Sequence, residues 1–510
     1  MKNTFNCKLH ISKKHPQSRK VFYLDTILIL IIMFILLGSC NKPSASQYGR
    51  VSGNIALSES EDHSYVKVSI YHAFDAPAEI NEIRALYPNL AFKVKNEIFF
   101  DHRDRQALDT VFTDVNGRFS FKKLPYGNYV LVYSKAGWGY NSFFDININQ
   151  DEIDLSHSQK LVLFPEIELP IFINQSYILE SGKCYVVKNN VSIGELGEIV
   201  FEGNTRLFLD DNIKIDIYGG ISCPAGEERA FITSYAGIYD GVSPNNSFGE
   251  GINYHGTGSQ WRNLSFSFLQ NALITSATDC LIEKMTFMNC FFGLLVQNGT
   301  NSITKNCLFF TNHFNNTAAY SSYNVDNNAL IDNIFLNNYM GAQYKINTQS
   351  IVENNVFWGN ERGFSNQLQS ICTISHNLLE GNGIGIENSG QSNLDISYNS
   401  IKGSIGIKTY HNARLYNGIE MGWTKANYNN ILANETAVNS LARYRIDPEG
   451  PYPLDFCDNY WGTTDSNIID DLIIDYLDLG LEAPEQSVYA RVDYLPFLMS
   501  VVRTAGIVMH

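Results

Sequence analysis

Asn333-Ile-Phe335, Asn355-Val-Phe357, Asn377-Leu-Leu379 and Asn399-Ser-Ile401 repeat one another at steps of 22 residues. Outward from this block, Asn306-Cys-Leu308 precedes it and Asn430-Ile-Leu432 and Asn459-Tyr-Trp461 follow it. Two degenerate copies, Met285-Thr-Phe287 and Asn263-Leu-Ser265-Phe266, extend the series upstream. The anchors fall at 263, 285, 306, 333, 355, 377, 399, 430 and 459, with gaps of 22, 21, 27, 22, 22, 22, 31 and 29. A second apolar residue stands three before most anchors (Ile282, Ile303, Leu330, Val352, Ile374, Ile396), and Gly293, Gly341, Gly363 and Gly385 stand eight after several. Helix-pair repeats need longer units with 3.6-residue periodicity, whereas these apolar pieces are short and broken by Asn, Gly and Ser. A unit of this length with short strands and tight corners is one turn of a parallel β-helix, whose coils stack about 4.8 Å apart so that equivalent residues form columns. Asn suits a corner because it tolerates the left-handed region and bonds its own backbone, and stacked amides can form a ladder. The longer gaps fit loops at corners.

The repeat resembles the right-handed parallel β-helix proteins of the pectate-lyase-like superfamily over roughly residues 166–500. The run Asn459-Tyr-Trp-Gly-Thr-Thr-Asp465, with Val492-Asp-Tyr-Leu-Pro-Phe-Leu498 after it, resembles the closing segment of bacterial secreted members. The fold class expected is therefore all-β: a small β-sandwich, a right-handed parallel β-helix of about thirteen coils, and a short C-terminal capping helix. The resemblance speaks to fold; lyases, hydrolases, epimerases, adhesins and proteins without activity share the architecture.

At the N-terminus, Lys2, Lys8, Lys13, Lys14, Arg19 and Lys20 precede an apolar run from Thr26 to Leu37 that ends in Leu37-Gly38-Ser39-Cys40. Residues 1–40 thus resemble a bacterial lipoprotein signal ending at a lipidated Cys40, and Asn41 after it favours, by analogy, the outer membrane. The alternative, an uncleaved membrane anchor, meets a run too short for a ~30 Å hydrocarbon core. The implied location is the bacterial cell envelope, with the membrane as partner through the lipid. Removal of residues 1–39 takes 6 of 37 basic and 1 of 52 acidic residues, leaving 31 and 51 and a formal charge of −20. So acidic a chain excludes nucleic acid as a partner, which requires a basic face.

Residues 41–50 read as a tether and 51–150 as a β domain. Val51-Ser-Gly-Asn-Ile55 and Val66-Lys-Val-Ser-Ile70 alternate as strands do, and Asn116-Gly117 precedes the alternating Arg118-Phe-Ser-Phe121. These motifs resemble the carboxypeptidase-regulatory-like (transthyretin-like) sandwich, interrupted at 72–108 by a charged, aromatic insertion. His102 and Asp104 within it are read as a solvated loop in preference to a ligand pair. Residues 151–165 are expected to link the domains. A closing helix is expected over Asp465–Leu479, where Ile468, Ile469, Leu472, Ile473, Tyr476 and Leu477 recur at helical spacing behind an Asp465 cap, with a last strand at Val492–Leu498.

Seven cysteines besides Cys40 remain beyond the signal, and no Cys-x-x-Cys is present, so no zinc site is expected. Buried thiols are the favoured reading. Cys280 and Cys372 occupy one column four coils apart, about 19 Å, beyond disulfide reach.

The chemistry-bearing candidates are two columns. One before the anchor, Lys284, Lys305, Asp332, Asn354, His376, Tyr398, Asn429 and Asp458 are all polar. Asp332, Asn354 and His376 on successive coils are the weak catalytic or binding candidates, set against a merely solvated column. A Ca²⁺ cage takes about six oxygens or more, so no metal site is assigned, and Ca²⁺ is the only cofactor left open. Three after the anchor, Met288, Phe309, Leu336 and Trp358 form a stripe that stops at Glu380 and Lys402. Phe309 and Trp358 there could stack on sugar or dock a chain, or pack under a loop or inward. Asp210-Asp211 reads as a corner pair, and His255-Gly-Thr-Gly258 matches only part of the motif of polygalacturonase-like hydrolases, so no activity is transferred. The function expected is a cell-envelope lipoprotein whose flank binds glycan or protein without a complete catalytic set. A polysaccharide lyase or glycoside hydrolase, and a structural envelope rod, stand as alternatives.

Overall fold

The computed structural model describes residues 47–508 apart from 89, 91–94, 158–160, 242–247, 277, 313–315, 417–418, 434, 442, 445–452, 476 and 479–489. The signal segment with Cys40, most of the 41–50 tether, and Tyr476 of the expected closing helix lie outside the described residues.

Alternation builds the N-terminal sandwich. Tyr48–Leu57 buries every second side chain and pairs antiparallel with Arg118–Pro125. The facing sheet runs Asp109–Phe112, Lys67–His72, Gly127–Lys135, Gly139–Ile148. Val51, Ile55, Val68, Ile70, Phe121 and Leu131, all at most 1% exposed, fill the space between them. Gly117 turns at φ +76°, where a Cβ would lie 2.1 Å from the Ile55 carbonyl oxygen, so only glycine fits. Residues 151–165 are not a bare linker: Glu152–Asp154 and Leu161–Leu163 both pair parallel with the first strand. These short pieces carried too few alternating positions to be read as strands.

The rest is a parallel β-helix with three flanks. Their inward columns stack in register: Phe266, Phe287, Phe309, Phe335, Phe357 and Leu379 on the first flank; Leu273, Leu294, Tyr320, Ala342 and Phe364 on the second; Trp261, Ile282, Thr304, Leu330 and Val352 on the third. The phenylalanines lie nearly parallel, with centroids 4.7 Å apart for Phe335 and Phe357. Each buried ring contributes about 1.5–3 kcal/mol by leaving water. On the third flank a three-stranded and an eight-stranded sheet give eleven strands, hence about eleven complete turns. The expected thirteen overcounts because the first and last turns do not close on all three flanks.

A ladder of buried asparagines holds one corner. The Asn333 amide donates to Asn355 Oδ1, Asn355 to Asn377, Asn377 to Asn399, Asn399 to Asn429 and Asn429 to Asn459, at 2.8–2.9 Å. This corrects three anchors. Asn263 and Asn306 stand one position early, Leu264 and Cys307 occupying the ladder's column, and Asn430 stands one late. The left-handed conformation belongs not to the ladder but to the residue before it: Asn263, Lys284, Asn306, Asp332, Asn354, His376, Tyr398, Tyr428 and Asp458 all have φ between +52° and +60°. The ladder residue turns inward only because its predecessor reverses the chain. A second ladder, Asn312, Asn338, Asn360 and Asn382, follows at the next corner.

At the far end the helix is shorter than expected. Ser466–Asp471 is capped by Asp465, whose carboxylate accepts from the Asn467 amide at 3.0 Å. Ile473–Ile474 then joins the second flank as a strand beside Thr436–Ser440, so the open sheet edge captures the residues that would have extended the helix. Arg491–Asp493 pairs with Pro453–Asp455 as the last strand. No helix among the described residues is long and apolar enough to cross a membrane.

Candidate functional site

Both columns singled out in the sequence are occupied by the protein's own chain. The stripe is Met288, Phe310, Leu336, Trp358, Glu380, Lys402. Phe309 points into the bore, 0% exposed, because the early anchor displaced the column by one. The outer side chains of this flank, Leu308, Ile334, Val356 and Trp358 among them, pack under the 72–108 insertion. Its helix Ala78–Leu86 contributes Ile80 and Ile83, and Phe99 meets Phe310 edge-on at 5.6 Å. The apolar run ends at the Lys402–Glu380 ion pair of 2.8 Å. The sequence held a signal for this: Leu308-Phe-Phe310, Ile334-Phe-Leu336 and Val356-Phe-Trp358 are apolar without alternation, the mark of a strand covered on both faces.

His102 does not sit in a solvated loop. Its Nε2 lies 2.8 Å from the Ile238 carbonyl oxygen, which requires a proton on that nitrogen. Arg103 beside it is 4% exposed and donates to Asp101, Thr233, Ser234 and Ala236. Together they fix the sandwich to the first coils.

Asp332, Asn354 and His376 do fall on successive coils, as the periodicity requires. Asn354 donates to Asp332, and its Oδ1 accepts from the Val508 amide at 2.7 Å. His376 Nδ1 lies 3.1 Å from the Thr504 carbonyl oxygen, and its ring stacks on Tyr398 at 5.2 Å, which stacks on Tyr428 at 5.5 Å. Asn430 exchanges two hydrogen bonds with the Val502 backbone, and Tyr398 accepts from the Gly506 amide. The column is the seat of a C-terminal strap, residues 502–508, whose amides and carbonyls it satisfies. The strap was not foreseen because its own sequence has no periodicity.

The second flank carries an open column that sequence reading missed. Position by position it shows Tyr218, His255, Ser276, Gln297, Tyr323, Lys345, Gln367, Ser389 and Tyr410. Tyr218, Tyr323 and Tyr410 are 49%, 40% and 59% exposed. Eight coil steps of about 4.8 Å make a track of roughly 40 Å. At its start Asp216 accepts from His255 Nε2, Asn253 Nδ2 and Lys214 Nζ, each at 3.2 Å. Burial alone would raise the Asp216 carboxyl; the three donors outweigh it and hold the group below the usual carboxylate range. His255 stacks on Tyr218 at 4.5 Å. Farther along, Ser365 and Arg362 donate to Glu387 at 3.1 and 3.2 Å, and Gln367 donates to Ser365 at 2.8 Å. Partial burial lowers the Lys345 ammonium below the lysine range. The track's signal in the sequence was real but dilute: the residue three after each member of the second flank's inward column.

All seven cysteines of the described chain are free, and five are buried. Burial pushes Cys290 and Cys307 up to about 12, so they are inert core residues. Among the described residues no three His, Cys, Asp or Glu side chains converge as a metal site.

The family profile "Right handed beta helix region" matches residues 270–436, and "Prealbumin-like fold domain" matches residues 87–160. The chain is thus a right-handed β-helix preceded by a prealbumin-like, that is transthyretin-like, sandwich. No curated protein sequence matches it. A crystal structure of a mutant of the periplasmic alginate epimerase AlgG aligns over 58% of this chain and 79% of that one, at 12% identity and a TM-score of 0.20. Likeness at that level has no bearing on activity.

Proposed function

We propose that the protein is a cell-envelope glycan-binding protein, and that its second flank holds a linear polysaccharide laid along the rod. The observation that carries this is the open column from Tyr218 to Tyr410, three half-exposed tyrosine rings four coils apart with amide, hydroxyl, imidazole and ammonium groups between them. Aromatic faces take the apolar side of a sugar ring and the polar groups fix its hydroxyls. The coil spacing is close to the length of one pyranose unit, so polymer and column can stay in step. Lipid anchoring through Cys40 would hold the rod at the envelope surface.

A second reading is favoured by one feature. The Asp216–His255 pair, with His255 oriented by a carboxylate and open to solvent, is a competent proton-transfer group at one end of the track. In that reading the protein is a polysaccharide lyase or glycoside hydrolase. The test is retention of full-length protein on immobilised acidic and neutral polysaccharides, with reducing and unsaturated ends assayed in the same tubes. Binding without new ends, weakened about fivefold by Tyr323→Ala, the worth of ~1 kcal/mol per ring contact, supports the binder. New ends that vanish with His255→Ala establish the enzyme instead. Neither binding nor new ends leaves the structural rod.

A further inference from the structure

A cleft of about 380 Å³ separates the sandwich from the outer face of the first coils. It lies on the first flank, away from the tyrosine column. One wall is sandwich, with Tyr140, Asn141 and Phe144; the floor is β-helix, with Arg206 and Phe231 on consecutive coils. Domain junctions of this volume suit a molecule of one or two rings.

The arrangement of Arg206 gives the cleft a preference. Its guanidinium carbon sits 5.4 Å from the Tyr140 ring centre and 5.7 Å from that of Phe231. One terminal nitrogen donates to Asn141 Oδ1 at 2.9 Å. That oxygen also accepts from the Ser142 amide at 2.9 Å, which fixes the acceptor and hence the fork. No carboxylate is paired with Arg206 among the described residues. The other charges of the lining are accounted for: Asp101 is matched by Arg103 at 2.8 Å, and Glu97 is exposed at the mouth. Arg206 Nη2, the nitrogen that makes the bond to Asn141, keeps a second hydrogen, and with the neighbouring N–H it presents one guanidinium edge whose two parallel bonds match a carboxylate's two oxygens. The flanking rings provide apolar faces for whatever bears that carboxylate.

We propose that this cleft binds a ring-shaped carboxylate, its anion forked on Arg206 and its ring against Tyr140, Phe144 and Phe231. The shared chemistry has two sources, an aromatic acid or a single uronic acid, and the experiment separates them. Full-length protein is titrated calorimetrically with 4-hydroxybenzoate and with glucuronate, each beside its neutral counterpart, 4-hydroxybenzyl alcohol and glucose. The expected result is saturable binding of one acid, with the neutral partner weaker by about tenfold or more. The winning acid names the source. Arg206→Gln should abolish that difference, and Arg206→Lys, which keeps the charge and loses the fork, should weaken the acid several-fold while retaining the preference for it. Phe231→Ala should weaken the acid and leave the melting temperature within a few degrees. Equal affinity for acid and neutral partner, an unchanged acid affinity in both Arg206 variants, or no binding of either acid up to about 10 mM, where binding is worth only a few kcal/mol, would overturn the proposal. Because the cleft and the tyrosine column lie on different flanks, Tyr323→Ala should leave the acid titration unchanged.

Discussion

Replacing Asn355 by alanine tests the ladder as the device that sets coil register. The Asn355 side chain is fully buried. Its oxygen accepts from the Asn333 amide and side-chain nitrogen at 2.9 and 3.0 Å. Its nitrogen donates to the Leu330 carbonyl, the Glu353 carbonyl and Asn377 Oδ1 at 2.8, 2.9 and 3.0 Å. Alanine leaves the Asn333 amide buried without an acceptor, about 1–3 kcal/mol, and removes donors from two carbonyls at about 0.5–1.5 kcal/mol each. The expected loss is about 4 kcal/mol. Asn355→Asp should cost more, because a carboxylate keeps the acceptor and faces two carbonyls with no proton to give. The control is the neighbour: Asn354, at φ +57° on the outer corner, becomes glycine without backbone strain and loses only contacts to Asp332 and Val508, about 1 kcal/mol. Urea unfolding followed by fluorescence gives the totals. Hydrogen exchange over residues 333–399 shows whether the loss is local to the ladder, as stacked units require. An Asn355→Ala cost no larger than that of Asn354→Gly would refute the ladder's role.

Ile83→Asp should undock the insertion, since Ile83 is 0% exposed in the cluster it forms with Leu336 and Val356; limited proteolysis should cut within 72–108 at least tenfold faster while the bore's exchange protection stays. Ending the chain at Val501 removes the strap, and exchange at Tyr398 and Asn430 should rise with a stability loss of about 1–2 kcal/mol. The domain junction should weaken in acid in two steps. Burial holds the His102 imidazole below its ordinary value against the pull of Asp101, so the unfolded chain takes up the proton first and stability falls as pH drops below about 6.5. Asp101 is lowered: burial would raise it, but Arg103 wins, so its contribution is present above about pH 4 and lost below. Melting temperatures from pH 8 to 3 should show both steps, and His102→Gln should remove only the upper one.

The bore was legible because stacking makes register audible in sequence: Phe335, Phe357 and Leu379 recur at one period and fall in successive layers. The same arithmetic failed by one residue at Asn306 and Asn430, where an asparagine beside the ladder position mimics its occupant. That single slip put the inward Phe309 into an outer stripe. The second ladder was readable too, five residues after the first in Asn338, Asn360 and Asn382. What covers the outer columns was not legible. The insertion and the C-terminal strap meet the coils through residues distant in the chain, such as Phe99 with Phe310 and Val508 with Asn354. Periodicity reports which residues share a face, not what lies upon it. The tyrosine column shows the same limit: its members differ in type, so only the backbone pairing aligns them.

Asn377 reaches Asn399 across 22 positions and Asn399 reaches Asn429 across 30, yet the two contacts have the same geometry, 2.9 and 2.8 Å from amide to oxygen. The spine therefore counts storeys and ignores how long the staircase between them is. A lineage carrying such a spine can lengthen a landing by several residues, or gain and lose whole floors, without disturbing the storeys above and below. New recognition surfaces can then arise at the corners of the tower while its shaft keeps the same cross-section.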